Sequence, residues 1–137
     1  MRNFCTIIKI SSIYETSSWP NKNFPKYLNI ILKCNTKLDP FVLLSNIKKI
    51  EKKLGRKNKK KNFPRTCDID IIDYKSIKFK KKFIEIPHPR LYNRNFVLFP
   101  LFEIEKTWKH PKTKISIDKL LKNLDIKSLR GIKILRK

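Results

Sequence analysis

The sequence predicts an α+β domain, and three observations carry that prediction. Apolar residues alternate with polar ones over 67–72, the period-two pattern of a strand with one buried face, and the apolar-rich runs 5–14 and 27–36 also read as strands. Over 43–54 they recur at spacings of four, three and four, the period of a helix buried along one stripe. Two further apolar helical stretches read at 94–104 and 117–124. With 137 residues, 40% of them hydrophobic, the chain suits one domain with a modest core, and no internal repeat or linker divides it.

Taken in order, residues 5–14 form the first strand, with Cys5, Ile7, Ile8, Ile10, Ile13 and Tyr14 as its apolar members. A Ser-, Asn- and Pro-rich loop follows over 16–26, carrying Thr16, Trp19 and Phe24. Trp19 suits either a loop anchored on the core or the mobile wall of a pocket. The strand 27–36 places Leu28, Ile30, Leu32 and Cys34 on a core face and Tyr27, Asn29 and Ile31 on the other. Tyr27 and Asn29 suit a flat heterocycle, one stacking and one reading its edge, although a solvent face would look the same locally.

Asp39-Pro40 opens a helix, since Asp caps free amides and Pro is tolerated at the first position. Leu43, Ile47, Ile50 and Leu54 form its buried stripe, and Gly55 is the expected stop. Glu51 and Arg56 lie at its end, next to a basic loop over 56–65 that leads into the strand 67–72. Tyr74-Lys75-Ser76 reads as a turn, and a weaker strand pair is expected within 76–86. Pro87-His88-Pro89-Arg90 is rigid and non-helical; its His is a candidate phosphate contact or a purely structural residue. Asn93 is the expected cap of the helix 94–104, which buries Phe96, Val97, Phe99, Leu101 and Phe102. Arg94 then stands in the first turn, where the helix dipole disfavours a cation unless an anion holds it. Ser116 caps the last helix, with Ile117, Leu120, Leu121 and Leu124 inside, and 130–137 is a basic tail ending in a short strand-like piece.

The chemistry concentrates in Pro64-Arg65-Thr66-Cys67-Asp68-Ile69-Asp70-Ile71-Ile72-Asp73. On a strand, Asp68 and Asp70 share a face roughly 7 Å apart. Carboxylates that close repel unless a cation sits between them or one keeps its proton. Mg²⁺ is the expected cation: it takes hard oxygen ligands, is held by one or two carboxylates, and completes its shell with water and substrate phosphates. Arg56, Lys57, Lys59, Lys60, Lys61 and Arg65 flank the pair, as a polyphosphate substrate requires. The bland alternative is a polar strand face beside a solvated lysine run.

Composition narrows the partners. The formal net charge is +23, which favours polyanions, although the Lys-, Ile- and Asn-rich composition weakens that signal. Cys5, Cys34 and Cys67 fit no metal spacing and read as reduced core thiols of a reducing compartment. No run reaches transmembrane length, and residues 4–8 are too short for a signal peptide, so a cytoplasmic protein without membrane partners is expected. A small basic nucleic-acid-binding protein is the alternative from another class, but no recognition motif appears.

Phe63-Pro64-Arg65-Thr66-Cys67-Asp68-Ile69-Asp70-Ile71-Ile72 resembles the PRTxDxDxx signature of the 6-hydroxymethyl-7,8-dihydropterin pyrophosphokinase family, which acts in folate synthesis. Ser11 to Thr16, Tyr27-Leu28-Asn29, Ile50-Glu51 through Gly55-Arg56, Ile86 to Leu91, Arg94 to Leu98 and Pro100 to Ile104 resemble further family motifs in the same order, from about residue 6 to about 124. The resemblance implies a ferredoxin-like antiparallel sheet with helices packed on its faces. It implies transfer of pyrophosphate from ATP to the pterin hydroxymethyl oxygen with release of AMP, by a monomer that binds no nucleic acid. Asp68 and Asp70 would hold two Mg²⁺ ions. Arg56 and Arg65 would act in catalysis, and Lys61, Arg65, His88 and Arg94 would bind ATP. Thr16, Trp19, Tyr27, Asn29 and Phe96 would form the pterin site.

Two departures from the family pattern stand out. The family begins with a strand ending in Gly-Ser-Asn and then a helix, whereas this chain starts at the expected second strand and has no Gly-Ser-Asn. Without that central strand, apolar surface should be exposed. A misplaced start codon, a truncated product or a decayed, catalytically impaired copy would each account for it. Asn58 stands where a loop arginine is frequent and Asn62 where an aromatic is; neighbouring lysines replace the charge but not the bidentate geometry.

Overall fold

The computed structural model describes residues 4–17, 25–55 and 67–136. Its architecture is α+β with every strand pairing antiparallel, as expected. The strands are β1 (Thr6–Ile10), β2 (Ile13–Thr16), β3 (Tyr27–Asn29), β4 (Leu32–Asn35), β5 (Phe79–Lys81), β6 (Ile84–Ile86) and β7 (Ile132–Arg136). The helices are α1 (Pro40–Lys53), α2 (Asn95–Ile104), α3 (Ile117–Lys122) and α4 (Ile126–Arg130), with a 3-10 turn at Leu91–Asn93. Ladders run β1–β4, β3–β2–β7 and β5–β6.

The two long strands expected at 5–14 and 27–36 are each broken in the middle. They make one long hairpin whose register slips across the break, with Ile10 opposite Leu32 but Tyr14 opposite Asn29. At the break Ser11 replaces the ladder: its N–H donates to Ile31 O at 3.0 Å, and its Oγ accepts from the Ile31 N–H at 2.9 Å. Leu32 and Cys34 keep the expected inward face, but on the other side of the slip, over 28–31, the faces are reversed. Leu28 (61%) and Ile30 (47%) are exposed, whereas Ile31, expected on the other face, packs against the main core. Ile7, Ile8 and Ile10 are exposed as well, so this hairpin presents the apolar surface that was expected.

The core lies between α2, the 3-10 turn and α3, around Leu91, Val97, Leu98, Leu101, Ile117, Leu120 and Leu124. Phe96, Phe99 and Phe102 pack against it partly buried. The expected cap Asn93 falls within the 3-10 turn, and Arg94 takes the cap position of α2 without a side-chain bond. In α1 the expectations hold at the start, where Asp39 Oδ1 accepts from the Val42 N–H at 3.0 Å. They hold again at Gly55, whose φ of 90° is accessible to glycine at little cost. Ile47 is buried, but Leu54, at the C-cap, is 48% exposed. The cysteines form no disulfide among the described residues and are half-buried rather than core. The C-terminal piece is a true strand, β7, pairing with the second edge of β2.

Two clasps fix the hairpin to α2. Glu103 accepts from the Ser12 N–H, the Ser12 hydroxyl and the Tyr14 hydroxyl at 2.7–3.1 Å. Glu105 receives Lys33 and Lys9 at 2.7 and 3.2 Å, which holds its carboxyl below the usual range.

Candidate active site

The stretch expected to be a strand at 67–72 is extended but joins no ladder among the described residues. The alternation survives: Cys67 and Ile69 are half-buried, Asp68 and Asp70 exposed, so both carboxylates face outward. Anchors from other elements take the ladder's place. The Ile69 N–H donates to Glu51 Oε2 of α1 at 2.7 Å. The His88 N–H donates to Ile72 O at 3.0 Å. Trp108 Nε1–H donates to Asp73 Oδ2 at 2.8 Å, and the Tyr74 hydroxyl to Leu38 O.

His88 follows the cis Ile86–Pro87 peptide. Its Nδ1 accepts from the Arg90 N–H at 3.2 Å, which leaves the proton of the neutral ring on Nε2. Burial lowers its pKa; Asp70 opposes this, while Arg94 and Arg90 add to it. His88 is therefore neutral at neutral pH, with its proton on Nε2. Burial likewise lowers the Arg94 pKa against the pull of Asp70, and the guanidinium stays charged. Arg94 lies over the Phe96 ring, 5.3 Å from its centroid, a cation–π contact that fixes its direction. Asp70 thus sits within electrostatic reach of both His88 and Arg94.

Beside Asp70 and His88 opens a cavity of about 390 Å³ between α1 and the β5–β6 hairpin. Leu44, Ile69, Ile71 and Ile84 give it an apolar wall, and Lys48, Lys80, Lys81 and Lys82 a cationic rim. The hairpin is set against α1 by the edge-on contact of Phe41 with Phe79, centroids 5.3 Å apart. An apolar wall with a lysine rim suits a base with its phosphates. The rim was not singled out in the sequence, where Lys80-Lys81-Lys82 is indistinguishable from a solvated hairpin tip. A larger cavity, about 680 Å³, is lined by Tyr92, His110 and Ser128 among others, and by none of the predicted site residues.

On the β2–β3 ladder Thr16 faces Tyr27, and Asn29 Nδ2–H donates to Thr16 Oγ1 at 3.3 Å. Tyr27 is 37% exposed. Thr16, Tyr27 and Asn29 therefore form one cluster, and Asp70, His88, Arg94 and Phe96 a second. Trp19, Arg56, Lys61 and Arg65 lie outside the described residues, as do Asn58 and Asn62.

Among the described residues no three His, Cys, Asp or Glu gather as metal ligands. The donor set is the Asp68–Asp70 pair, all oxygen and outward-facing. That fits a hard cation that draws its other ligands from water and phosphate, and not a closed four-ligand site. No described helix is long and apolar enough to cross a membrane.

Residues 1–106 match the 7,8-dihydro-6-hydroxymethylpterin-pyrophosphokinase family. A 2-amino-4-hydroxy-6-hydroxymethyldihydropteridine pyrophosphokinase of Aquifex aeolicus is 44% identical over 111 residues, 81% of this chain and 69% of that protein. One of Bacillus subtilis is 40% identical over 99 residues, 72% of this chain and 59% of the relative. A folic acid synthesis protein of Dictyostelium discoideum is 38% identical over 120 residues, 88% of this chain but 18% of that longer protein. With most of its length matched, the chain belongs to the 7,8-dihydro-6-hydroxymethylpterin-pyrophosphokinase family.

Proposed function

We propose that the chain transfers the pyrophosphoryl group of ATP to the hydroxymethyl oxygen of 6-hydroxymethyl-7,8-dihydropterin, releasing AMP, as a monomeric cytoplasmic enzyme of folate synthesis. The observation that carries this reading is Asp70 beside both His88 and Arg94, at the mouth of a lysine-rimmed cavity, in a chain of this family. The family match favours it over a basic nucleic-acid-binding protein.

The residues divide the work. The cavity between α1 and the β5–β6 hairpin takes the adenosine end, its lysines meeting phosphate oxygens. Asp68 and Asp70 would hold Mg²⁺, two ions by the family pattern, which would supply charge neutralisation for the phosphates. His88 donates a neutral hydrogen bond from Nε2, and Arg94 supplies fixed positive charge. Together they stabilise charge on the phosphate oxygens as the pterin oxygen bonds the β-phosphorus and the bond to the α-phosphate oxygen breaks. Tyr27 and Phe96 sandwich the pterin ring, Asn29 bonds its edge, and Thr16 and Trp19 line it. Arg56, Lys61 and Arg65 add cationic contacts to the ATP phosphates.

The experiment is AMP release from ATP and Mg²⁺, with and without 6-hydroxymethyl-7,8-dihydropterin. AMP that appears only with the pterin supports the reaction. A folded protein that binds both substrates and forms no AMP identifies an impaired relative, and one that binds neither overturns the reading. Sedimentation checks the monomer.

A further inference from the structure

We propose that Glu51 is a positioning residue for the Asp68–Asp70 pair, and this rests on the reading of that pair as the metal-holding carboxylates. Glu51 is 1% exposed, an unusual place for a carboxylate, since burying one is costly unless hydrogen bonds meet it. One oxygen accepts from the Ile69 N–H at 2.7 Å and the other lies 3.2 Å from Lys48 Nζ. Ile69 is the residue between the two aspartates.

The location gives this bond its consequence. In a ladder, neighbouring strands set the plane of each peptide. Residues 67–73 join none among the described residues, so their peptide planes are set by individual anchors. The anchors at Ile72 and Asp73 lie C-terminal to the pair. The bond from Glu51 acts between the aspartates: holding the 68–69 peptide fixes the backbone torsions on both of its sides, and so the directions in which the Asp68 and Asp70 side chains leave the chain. Partners that orient metal-holding side chains in this way typically change metal affinity or activity by about 10- to 100-fold.

The role depends on the acceptor and its reach, and two variants separate these from charge. Glu51→Gln keeps the length and an acceptor oxygen but loses the charge. Glu51→Asp keeps the charge but draws the carboxylate back by one methylene, out of reach of the Ile69 amide. The readouts are the Mg²⁺ concentration for half-maximal AMP release and Mn²⁺ affinity measured by titration with α,β-methylene-ATP, with Asp68→Asn as a control. We expect Glu51→Asp to weaken both about 10-fold or more with the pterin KM unchanged, and Glu51→Gln to stay within about threefold of wild type. Wild-type metal dependence in Glu51→Asp, or a defect in Glu51→Gln that Glu51→Asp lacks, overturns the proposal while Asp68→Asn remains defective. If Asp68→Asn binds Mn²⁺ like wild type, the metal reading fails and the proposal with it. Amide exchange in the wild-type protein decides independently of any variant: the Ile69 amide should be among the slow ones, and exchange as fast as in an unstructured chain overturns the proposal.

Discussion

Replacing Glu103 by Ala should be among the most damaging single changes outside the apolar core. The Glu103 carboxylate accepts from the Ser12 N–H at 3.1 and 2.9 Å, from the Ser12 hydroxyl at 2.9 Å and from the Tyr14 hydroxyl at 2.7 Å. Ser12 and Tyr14 are each 5% exposed, so the truncation strands three buried donors. Each costs about 1–3 kcal/mol when left unsatisfied. Glu103 itself is only half-buried. Water entering its place recovers part of the loss, which leaves about 3–5 kcal/mol. That is a large share of a typical total of about 5–15 kcal/mol. Tyr14→Phe removes one donor to a charged acceptor and should cost about 1.5–3 kcal/mol. Urea midpoints of the two single variants and the double variant measure this directly. The double variant should be less destabilised than the sum, by about the cost of Tyr14→Phe alone, because its bond is already lost. A Glu103→Ala protein within about 1 kcal/mol of wild type, or fully additive costs, would refute the network as the link between β2 and α2.

The remaining predictions concern the site, the core and pH. Asp68→Ala and Asp70→Ala should each lower AMP formation about 100-fold or more while moving stability by under about 0.5 kcal/mol, since both side chains are exposed; near wild-type turnover in either would remove the metal assignment. Leu98→Ala, at a position with 0% exposure, should cost about 2–5 kcal/mol in a denaturation midpoint. Tyr14 has its pKa raised, first by burial and then by the Glu103 bond and charge. The unfolded chain then releases this proton first, from about pH 10, so the contribution is complete below pH 10 and declines above it. Between pH 10 and 11 the wild type should lose up to about 1.4 kcal/mol more than Tyr14→Phe, and equal losses would count against it.

Local features were the most legible. Asp39-Pro40 and Gly55 marked the ends of α1 because capping and positive φ depend on the residue in place. The helical stretches α2 and α3 and the weak hairpin β5–β6 also followed from spacing and turns. Features set by distant partners were not legible. The breaks at Ser11-Ser12 and Ile30-Ile31 arise where Ser11 bonds Ile31 and Ser12 bonds Glu103, residues 91 apart in the chain. The slip sent Ile31 rather than Leu28 to the core. Alternation at 67–72 predicted which way the aspartates face but not that the stretch joins no ladder among the described residues, because alternation records burial and not pairing. Asp68, Asp70, His88 and Arg94 were found through motifs. Glu51 was marked by the helix-end motif, but not its bond to the Ile69 amide, and no local pattern marked Trp108, which bonds Asp73.

The arrangement gives α2 a particular place in the site. Arg94 and Phe96 stand at its first turn, where Arg94 meets the field of Asp70. Glu103, two turns on, holds the start of β2, the strand that carries Thr16 and faces Tyr27 and Asn29 on β3. The cluster of Asp70, His88 and Arg94 and the cluster of Thr16, Tyr27 and Asn29 are thus tied to opposite ends of one short helix whose middle, Val97, Leu98 and Leu101, is the centre of the core. A phosphoryl acceptor must be placed to within a fraction of an ångström of its target for in-line attack. Here the two clusters share a buried element. On the proposed reading, the Glu103 clasp therefore bears on the placing of the two clusters as well as on folding.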